Sequence, residues 1–559
     1  MASYELTADG KLRGRAGDRL SEVLRCPFAT TAELHALNGS GDPSSVHRGI
    51  QALRRDGLID GVSWHSAGSS KPSMRHFATT KGLRELSERL GIETKDIVRR
   101  YAASAEWQSW FLGHMELVAL VYALAVQVAG SKPPNFLPVR VRFPRAGPLD
   151  GVISFSDGLS FSVMRQGSVR SAAAFAKRVS NQGREKVRPA LLLLVAADDF
   201  SLPQVLERLR ERRATLTGAV ATEEDALSAG ADAHAWCSLN HGNERLSLAD
   251  LVAAARDPWR QTPHVRTDYV KAGLPSELRG VPEKSLVELT AVQRRTLLDV
   301  FRWPLKDTRQ LAALHGISYS NEARILKALL GLDLVETVRV PCLPRARFAF
   351  SDEGLRYLSD RDRLDLAALR RRWSTGSGDR PRGTILAKLI RESDHTEGIN
   401  DFVYRLASEF GPDIGLLPAH LSTREFTLRG RVSQVVPDVV ATISGPHGPR
   451  TLFVEYEMRA GSVRDLTGKA LPWVRFFSTP HPYEDFQGEP QLLFILVDDE
   501  AEERFHDIVQ ERCDEAGIGI PLFTTTRELI DGSDSFTDRV WYAFGTREKE
   551  RCAPPHGVV

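Results

Sequence analysis

The spacing of apolar residues changes several times along the chain and predicts the same order of elements twice. Between residues 17 and 90, apolar positions such as Val46, Ile50 and Leu53 recur at helical spacing in the third of three short helices, and a polar loop then separates two short strands. Three helices followed by a hairpin are typical of a winged helix-turn-helix domain. From about residue 284 the order of helix, helix, helix and hairpin begins again.

Longer apolar stretches follow each of these units and predict domains that combine helices with a sheet. A long apolar helix from Trp110 to Val128 precedes several strands, and the continuous run 190–195 is typical of a buried strand. A second helix-plus-sheet unit extends to about residue 545. We therefore predict an α/β (mixed α+β) fold class, in which two winged helix-turn-helix domains alternate with two α/β domains.

Proline, glycine and charge patterns divide the chain into seven predicted segments. In chain order these are a first winged helix-turn-helix at 1–95, a first α/β domain at 96–245, a connector at 246–283, a second winged helix-turn-helix at 284–366, a basic flexible linker at 367–383, a second α/β domain at 384–548 and a tail at 549–559.

The recurrence is also visible in the residues themselves. The heptapeptide Met164–Arg170 returns as Met458–Arg464 with six identities in seven, and the end of the first wing, Phe77–Leu86, is similar to Phe348–Leu358. Two such matches in the same order predict an internal duplication of a winged helix plus α/β unit.

Superposing the two heptapeptides compares the acidic positions of the copies. The overlay pairs Phe161 with Glu455 and Val163 with Glu457. If the preceding loop is shorter in the first copy, it also pairs Asp150 with Asp438. Since only one acid of three remains in the first copy, we expect metal chemistry to belong to the second copy. The first copy is then a structural, dimerising or DNA-tracking platform.

Those acids, together with a lysine, predict a magnesium site. Asp438 begins one apolar run, Glu455 and Glu457 are spaced i, i+2 on the next run, and Lys469 lies on the following helix. Strand residues two apart point to one face of a sheet, so three carboxylates would face the same side. We expect Asp438 and Glu455 to hold Mg²⁺, Glu457 to share it or to polarise water, and Lys469 to offset charge on an attacked phosphate.

An alternative without metal is equally specific. Glu455 and Glu457 would lie on an exposed edge strand and pair with Arg459 and Arg464. Other catalytic motifs are missing from the sequence: Ala470 follows Lys469 where a phosphate loop needs Ser or Thr, and no G-x-S-x-G elbow occurs.

Basic and polar residues on the third helix and wing of each winged domain are the candidates for DNA contact, through phosphates or base edges. In the first domain they are His47, Arg48, Arg54, Arg55 and Lys71, and in the second they are Asn321, Arg324, Lys327 and Arg345. Winged helices also bind proteins, and a basic third helix can be merely a solvated face, so this alternative stays open.

Composition and charge favour a globular cytoplasmic protein over a secreted or membrane-embedded one. Hydrophobic residues make up 42% and charged residues 26% of 559 residues, and the five cysteines contain no C-x-x-C pair, which favours thiols in a reducing cytoplasm. No apolar run approaches the roughly eighteen residues needed to span a bilayer, so we expect a cytoplasmic protein without a membrane partner. Because the net charge is only +2, any DNA-binding surface must be local.

Three stretches of the second copy resemble the replication-relaxation family of bacterial mobile-element proteins. They are His395–Asp401, Pro437-Asp438, and Phe453–Arg459 with Lys469 downstream. The resemblance covers roughly residues 285 to 545, and the first half only as a worn copy, with His114-Met115-Glu116, Asp150 and Lys177. It implies a winged helix joined to a domain similar to PD-(D/E)xK nucleases, and a setting on plasmid or integrative-element DNA.

The resemblance also adds a candidate site residue, and at one motif this sequence departs from the family pattern. It implies that His395 orients substrate near the acids, although a histidine near a helix start is as often a structural residue. In the family the strand motif usually ends in Glu-x-Asp-Arg, whereas here Glu457 takes the Asp place and Met458 separates it from Arg459.

Two functions of different classes are compatible with these patterns. The first is a DNA-binding protein of plasmid replication or transfer type whose C-terminal domain nicks or cuts DNA with Mg²⁺. The second is a non-catalytic DNA-binding regulator or accessory factor that uses nuclease-like domains for assembly. The expected partners are double-stranded DNA and either a second copy of the chain or other proteins of the mobile element.

Overall fold

The computed structural model divides the chain into two compact units. Unit 1 comprises residues 1–291 with 357–364, and unit 2 comprises residues 292–356 with 365–559. The structure describes residues 15–38, 42–65, 72–130, 138–144, 148–155, 159–168, 170–182, 189–211, 217–240, 244–255, 289–340, 343–376, 382–411, 414–445, 448–458, 462–484, 490–545 and 551–553.

The described residues form both helices and strands, which confirms the mixed α/β fold class. The helices are Arg15–Arg25, Thr31–Asn38, Pro43–Arg55, Thr80–Leu90, Thr94–Arg100, Ala105–Gly113, Met115–Gly130, Ala172–Gln182, Ser201–Glu211, Glu223–Ser228, Leu248–Ala254, Ala291–Arg302, Thr308–His315, Tyr319–Gly331, Asp352–Asp362, Leu366–Trp373, Thr384–Arg391, Ser393–Phe410, Val463–Phe477, His481–Glu484, Asp499–Ala516 and Arg527–Gly532. The strands are β1 Ala29–Thr30, β2 Ile59–Trp64, β3 Ser73–Ala78, β4 Pro138–Arg142, β5 Gly151–Phe155, β6 Ser160–Arg165, β7 Leu191–Ala196, β8 Gly218–Thr222, β9 Trp236–Ser238, β10 Arg245–Leu246, β11 Val335–Val338, β12 Arg347–Phe350, β13 Gly415–Pro418, β14 Arg424–Leu428, β15 Arg431–Val435, β16 Val439–Gly445, β17 Gly448–Tyr456, β18 Gln491–Leu496, β19 Leu522–Thr526 and β20 Tyr542–Ala543.

Each unit contains a winged helix with the same local construction. In unit 1, three helices lead to a sheet of order β1-β3-β2, and Phe28 takes a positive φ of 62° while its N–H bonds to the His76 carbonyl. In unit 2, Leu305 has a φ of 65° and donates to the Phe348 carbonyl before the strand pair β11-β12. A left-handed backbone is rare outside glycine, so its presence at matching places is a specific shared feature.

The α/β sheets of the two units also share one pattern of strand directions. Unit 1 has the order β10-β9-β8-β7-β6-β5-β4, and unit 2 has the order β13-β16-β17-β18-β19-β20. In both sheets two antiparallel pairings lead to two parallel pairings and then to an antiparallel strand: β4-β5-β6-β7-β8-β9 corresponds to β13-β16-β17-β18-β19-β20. This correspondence is what an internal duplication predicts.

Several predicted elements and boundaries differ in the structure. The apolar stretch 110–128 is not one helix: Ala105–Gly113 and Met115–Gly130 meet at 85°, because His114 leaves the helical backbone and its ring stacks on Trp110. Apolar periodicity continues across this bend and so cannot reveal it.

The predicted flexible linker 367–383 begins as a helix. Asp365 caps Leu366–Trp373 by accepting backbone N–H groups, and Trp373 is buried, so this part of the segment packs rather than flexes. Part of the predicted tail belongs to the fold, since Cys552 forms a β-bridge with Trp541. Most of the predicted connector 246–283 lies outside the described residues, although Leu248–Ala254 is a capped helix.

Residues 357–364, predicted to belong to the second winged domain, belong to unit 1.

Within the described residues, no helix taken alone has the length and apolar character to cross a membrane; only the bent pair around His114 passes that test, and as a pair.

Candidate functional site

Glu455 and Glu457 lie at the end of an interior strand of the unit 2 sheet. β17 pairs with β16 on one side and with β18 on the other, and Glu455 is only 5% exposed. The alternative that placed both acids on an exposed edge strand is therefore wrong. Of the two predicted partners, Arg464 is exposed at the start of the next helix, and Arg459 lies outside the described residues.

Asp438 is held beside Glu455 by backbone hydrogen bonds. Its N–H donates to the Val454 carbonyl at 2.9 Å, and its carboxylate accepts the N–H of Tyr456 at 2.9 Å. These two bonds fix the carboxylate against the end of β17. The start of β16 and the end of β17 thus bring the predicted acids together, as strand alternation requires.

His395 reaches the same carboxylate from the helix Ser393–Phe410. Its Nε2 lies 3.4 Å from Asp438 Oδ1. The helix can approach β17 closely because Gly398 faces the Tyr456 ring, where an added Cβ would lie 2.3 Å from a ring carbon. His395 therefore lies beside the acids, and its contact with Asp438 is compatible with both the substrate-orienting and the structural interpretation.

Lys469 is the cation of the cluster. Its Nζ lies 3.4 Å from Glu455 Oε2 and 3.6 Å from Glu457 Oε2. It is positioned by the helix Val463–Phe477, whose first turn is fixed by a reciprocal capping box between Ser462 and Asp465. One ammonium in contact with both glutamates shows that their carboxylates share one face of the sheet.

Trp473 completes the surroundings of Glu455. One turn beyond Lys469, its indole Nε1 donates to Glu455 Oε1 at 3.1 Å, and the ring is buried. The sequence prediction did not include this residue. The spacing i, i+4 from Lys469 was the available signal, because residues four apart lie on one helix face.

The charges in the cluster shift one another's pKa. Burial, followed by the nearby charge of Asp438, raises the pKa of Glu455 to about 8. Burial opposes protonation of His395, but its hydrogen bond to Asp438 and the charge of that carboxylate outweigh burial and raise its pKa. Burial likewise opposes the Lys469 charge, yet the three acids raise its pKa. The site is therefore rich in negative charge and short of cations.

The predicted three-acid magnesium site is not formed. Among the described residues, no group of three or more His, Cys, Asp or Glu side chains is arranged to hold a metal ion. Lys469 contacts both Glu455 and Glu457 and balances part of their charge. Asp438 and Glu455 remain as neighbouring carboxylates, and this pair fits Mg²⁺, which is commonly bound by one or two protein carboxylates with water and substrate phosphates.

The corresponding place in unit 1 shows which residues match, and it corrects the overlay. Asp150 donates its N–H to Val163 and its carboxylate accepts the Arg165 N–H, as Asp438 does with Val454 and Tyr456. The hydrogen bonds therefore confirm the pairing of Asp150 with Asp438. They place Met164, not Phe161, opposite Glu455, and Gln166, not Val163, opposite Glu457, three residues away from the heptapeptide overlay.

Unit 1 also has a different cation from the one predicted. Lys177 is exposed, whereas Arg178 binds both carboxylate oxygens of Asp150, at 2.6 and 3.0 Å. Arg363 donates to the same carboxylate at 2.8 Å. Asp150 is buried, but these two arginines outweigh the burial and lower its pKa to about 2.

A buried ion network closes this part of unit 1. Arg165 pairs with Glu116, Glu223 and Asp362, and the Asp362 carboxylate accepts the Ser168 N–H. Glu116, part of the predicted worn motif, is thus a structural partner. His114 of the same motif stacks on Trp110. The acid of unit 1 is neutralised by arginines, whereas the acids of unit 2 share one lysine.

The predicted DNA-contacting residues lie mostly on the surface of their helices. His47, Arg48 and Arg55 are exposed on Pro43–Arg55 and Arg54 is half-buried, while Asn321, Arg324 and Lys327 are exposed on Tyr319–Gly331. Arg345 is exposed next to the second wing but pairs with Asp307 at 3.0 Å. Lys71 lies outside the described residues.

Comparison of the chain with protein-family models, with curated proteins and with solved structures gave no match. The resemblance to the replication-relaxation family therefore stays a prediction that depends on the residues quoted above.

Proposed function

We propose that the chain is a DNA-binding protein of a bacterial mobile element, of plasmid replication or transfer type, and that unit 2 nicks or cuts DNA with Mg²⁺. The observation that carries the proposal is the convergence of Asp438, Glu455, Glu457, Lys469 and His395 at the end of β17. The matching place in unit 1 has Met164 and Gln166 instead of two of the acids. Three acids that share one lysine, where unit 1 has an aspartate paired with arginines, favour a chemical role over a structural one.

Each residue has a role in this proposal. Asp438 and Glu455 would hold Mg²⁺, which when bound would activate water and stabilise charge on the attacked phosphate. Lys469 offsets negative charge on the phosphate that enters between the acids. His395, protonated beside Asp438, orients a phosphate oxygen and holds a proton within reach of the leaving group. Glu457 keeps Lys469 in place.

The winged helices supply DNA binding in this proposal. Exposed cations on Pro43–Arg55 and Tyr319–Gly331 would contact phosphates, and such contacts release counterions. We expect binding to weaken steeply as salt rises, and charge-neutralising substitutions of Arg48, Arg55, Arg324 and Lys327 to flatten that response. If the affinity for DNA changed neither with salt concentration nor with these substitutions, protein binding by the winged helices would be favoured.

One observation favours a second candidate, a non-catalytic DNA-binding factor. Lys469 already contacts Glu455 and Glu457, so part of the acidic charge is balanced without a metal ion. In that case the cluster holds the end of β17 to the helix Val463–Phe477.

Plasmid nicking separates the two candidates. Supercoiled plasmid is incubated with the full-length protein and Mg²⁺, and the open-circular product is measured for wild type and for Asp438→Ala/Glu455→Ala. We expect the double substitution to lower the rate by at least about a hundredfold, the typical cost of removing a group that stabilises the transition state. Glu503→Ala, an exposed acid of the same unit, is the matched control and should nick normally.

Equal absence of nicking by wild type and double variant, with DNA binding intact, would establish the non-catalytic factor. Equal nicking by both would mean that the activity belongs to other residues or to a contaminant.

A further inference from the structure

The hairpin β14-β15 carries an inference that rests on the proposed function and deepens it. It forms its own two-stranded sheet, with Leu428 opposite Arg431, so that Arg429 and Gly430 make a two-residue turn. Both have positive φ, 49° and 74°, as a type I′ turn requires. A left-handed backbone is less favourable for arginine than for glycine, so the charge of Arg429 is placed at the tip against its conformational preference.

The hairpin tip is basic and apolar at the same time. From Phe426 to Pro437 the chain has two arginines, Arg429 and Arg431, and no acid. Both arginines are exposed, and neither takes part in an ion pair with any described residue. Val432 is 64% exposed. A β-ribbon of this width fits the major groove of DNA, where arginines bind phosphates or bases and apolar groups contact thymine methyls.

The base of the hairpin is fixed to the acid cluster. The Phe426 ring packs on Phe476 of the helix that carries Lys469, with centroids 5.4 Å apart. Ser422 Oγ donates to the Pro437 carbonyl at 2.9 Å, directly before Asp438. β15 therefore runs from the basic tip to the acids as part of one packed structure.

Unit 1 contains no counterpart of this hairpin in its described residues. There, residues 143–150 join β4 to β5, whereas in unit 2 the much longer stretch 419–438 joins β13 to β16 and includes the hairpin. The added element thus occurs in the copy that has the acids. That association favours a role in holding the substrate of this site.

We infer that the hairpin β14-β15 is a DNA-positioning ribbon: it enters a groove of duplex DNA and places the phosphate to be cleaved at Asp438 and Glu455. Its five-residue strand spans about 17 Å at ~3.4 Å per residue. This length corresponds to about five base pairs of DNA. Arg429 and Arg431 therefore contact base pairs that flank the cleaved bond.

The test compares Arg429→Ala/Arg431→Ala with wild type, both as full-length protein. Fluorescence anisotropy with a labelled duplex in EDTA gives the dependence of affinity on salt, and supercoiled plasmid with Mg²⁺ gives nicking. Removing two phosphate contacts should reduce the slope of log K against log salt by about 1.8. Nicking should stay slower than wild type even at saturating DNA, since the ribbon places the phosphate as well as binding the duplex.

Thr427→Ala/Gln434→Ala, which changes the same hairpin without changing its charge, is the matched control and should leave slope and nicking unchanged. An arginine variant with the wild-type salt slope would overturn the inference, even if nicking by the wild type supports the proposed function. A variant that instead converts a dimer to a monomer in sedimentation would overturn it in favour of a second copy of the chain as occupant. Failure of the wild type to bind the duplex would overturn both proposals.

Discussion

Glu455 is the residue on which the chemistry of the site depends most. One carboxylate oxygen accepts a hydrogen bond from Trp473 and the other lies beside Lys469, while Asp438 adds a second negative charge nearby. Burial and that charge raise its pKa, so the carboxyl retains a proton at neutral pH until another cation compensates it. A buried carboxyl in this condition is sensitive both to pH and to divalent cations.

The raised pKa of Glu455 gives a pH prediction. Since its folded-state pKa of about 8 exceeds the unfolded value of 4.5, it contributes stability at acid pH that is lost as pH rises through about 8. We expect Glu455→Gln to make the melting temperature less dependent on pH between about 5 and 8. Mg²⁺ should raise the melting temperature of wild type at pH 8 and leave that of Glu455→Gln unchanged.

Differential scanning fluorimetry with Mg²⁺ and with EDTA measures both effects. The control is Glu503→Ala, which should behave as wild type in each buffer. A magnesium shift of the same size in Glu455→Gln would mean that the ion binds elsewhere.

At the scale of elements, the second winged helix depends on one buried histidine that joins its three helices. His315 ends Thr308–His315, and its ring nitrogens lie 2.8 Å from Glu322 and 3.0 Å from Asp299 on the other two helices. Burial opposes its charge, but the two carboxylates outweigh burial and raise its pKa to about 9. The protonated ring therefore stabilises the domain.

This arrangement predicts a loss of stability at alkaline pH. The folded-state pKa of His315 lies above its usual 6.5, so its contribution is complete below about 6.5 and disappears as pH rises through about 9. The shift corresponds to a contribution on the order of 3 kcal/mol. Urea unfolding followed by circular dichroism should show this loss between pH 6.5 and 9.5 in wild type, and little of it in His315→Gln.

His47→Gln, at an exposed position of the first winged helix, should keep the full pH dependence. If His315→Gln retains it as well, other groups cause the alkaline loss.

Elements and sites were predictable from the sequence where the local spacing of residues along a single helix or strand determines them. Alternation along a strand brings Glu455 and Glu457 to one face, and the acid-lysine cluster follows from that alternation. The register between the copies was not predictable, because the matching heptapeptide is displaced by three residues relative to the strands, and the hydrogen bonds of Asp150 and Asp438 decide the pairing. Arg178 depends on packing across elements, which no local period encodes, whereas Trp473 shares a helix face with Lys469 and could have been found from that spacing.

At the scale of the whole chain, the two copies place equivalent aspartates in different electrostatic surroundings. Asp150 and Asp438 accept equivalent backbone hydrogen bonds, but two arginines bind Asp150, whereas Asp438 lies beside His395 and the acid Glu455. Charge balance in unit 1 serves folding, because removal of one partner leaves buried cations without compensation. Charge excess in unit 2 opposes folding and is available to a bound cation.

Matched substitutions at these two positions test this division. Asp150→Asn leaves Arg178 and Arg363 without their shared anion, and we expect it to lower the free energy of unfolding by about 3 kcal/mol. Nicking per folded molecule should not change. Asp438→Asn removes the repulsion with Glu455, so stability should be unchanged or slightly higher while Mg²⁺-dependent nicking is lost.

Urea unfolding and plasmid nicking, measured on the same preparations, give both quantities for each variant. The substitution is the same at both positions, so its intrinsic effects on folding largely cancel in the comparison. Stability lost at Asp438 and nicking lost at Asp150 would reverse the assignment and make unit 1 the chemical copy. If both substitutions changed stability equally and neither changed nicking, both aspartates would be structural. The duplication would then have kept the same strand-end hydrogen bond in a site rich in arginine and in a site rich in acids.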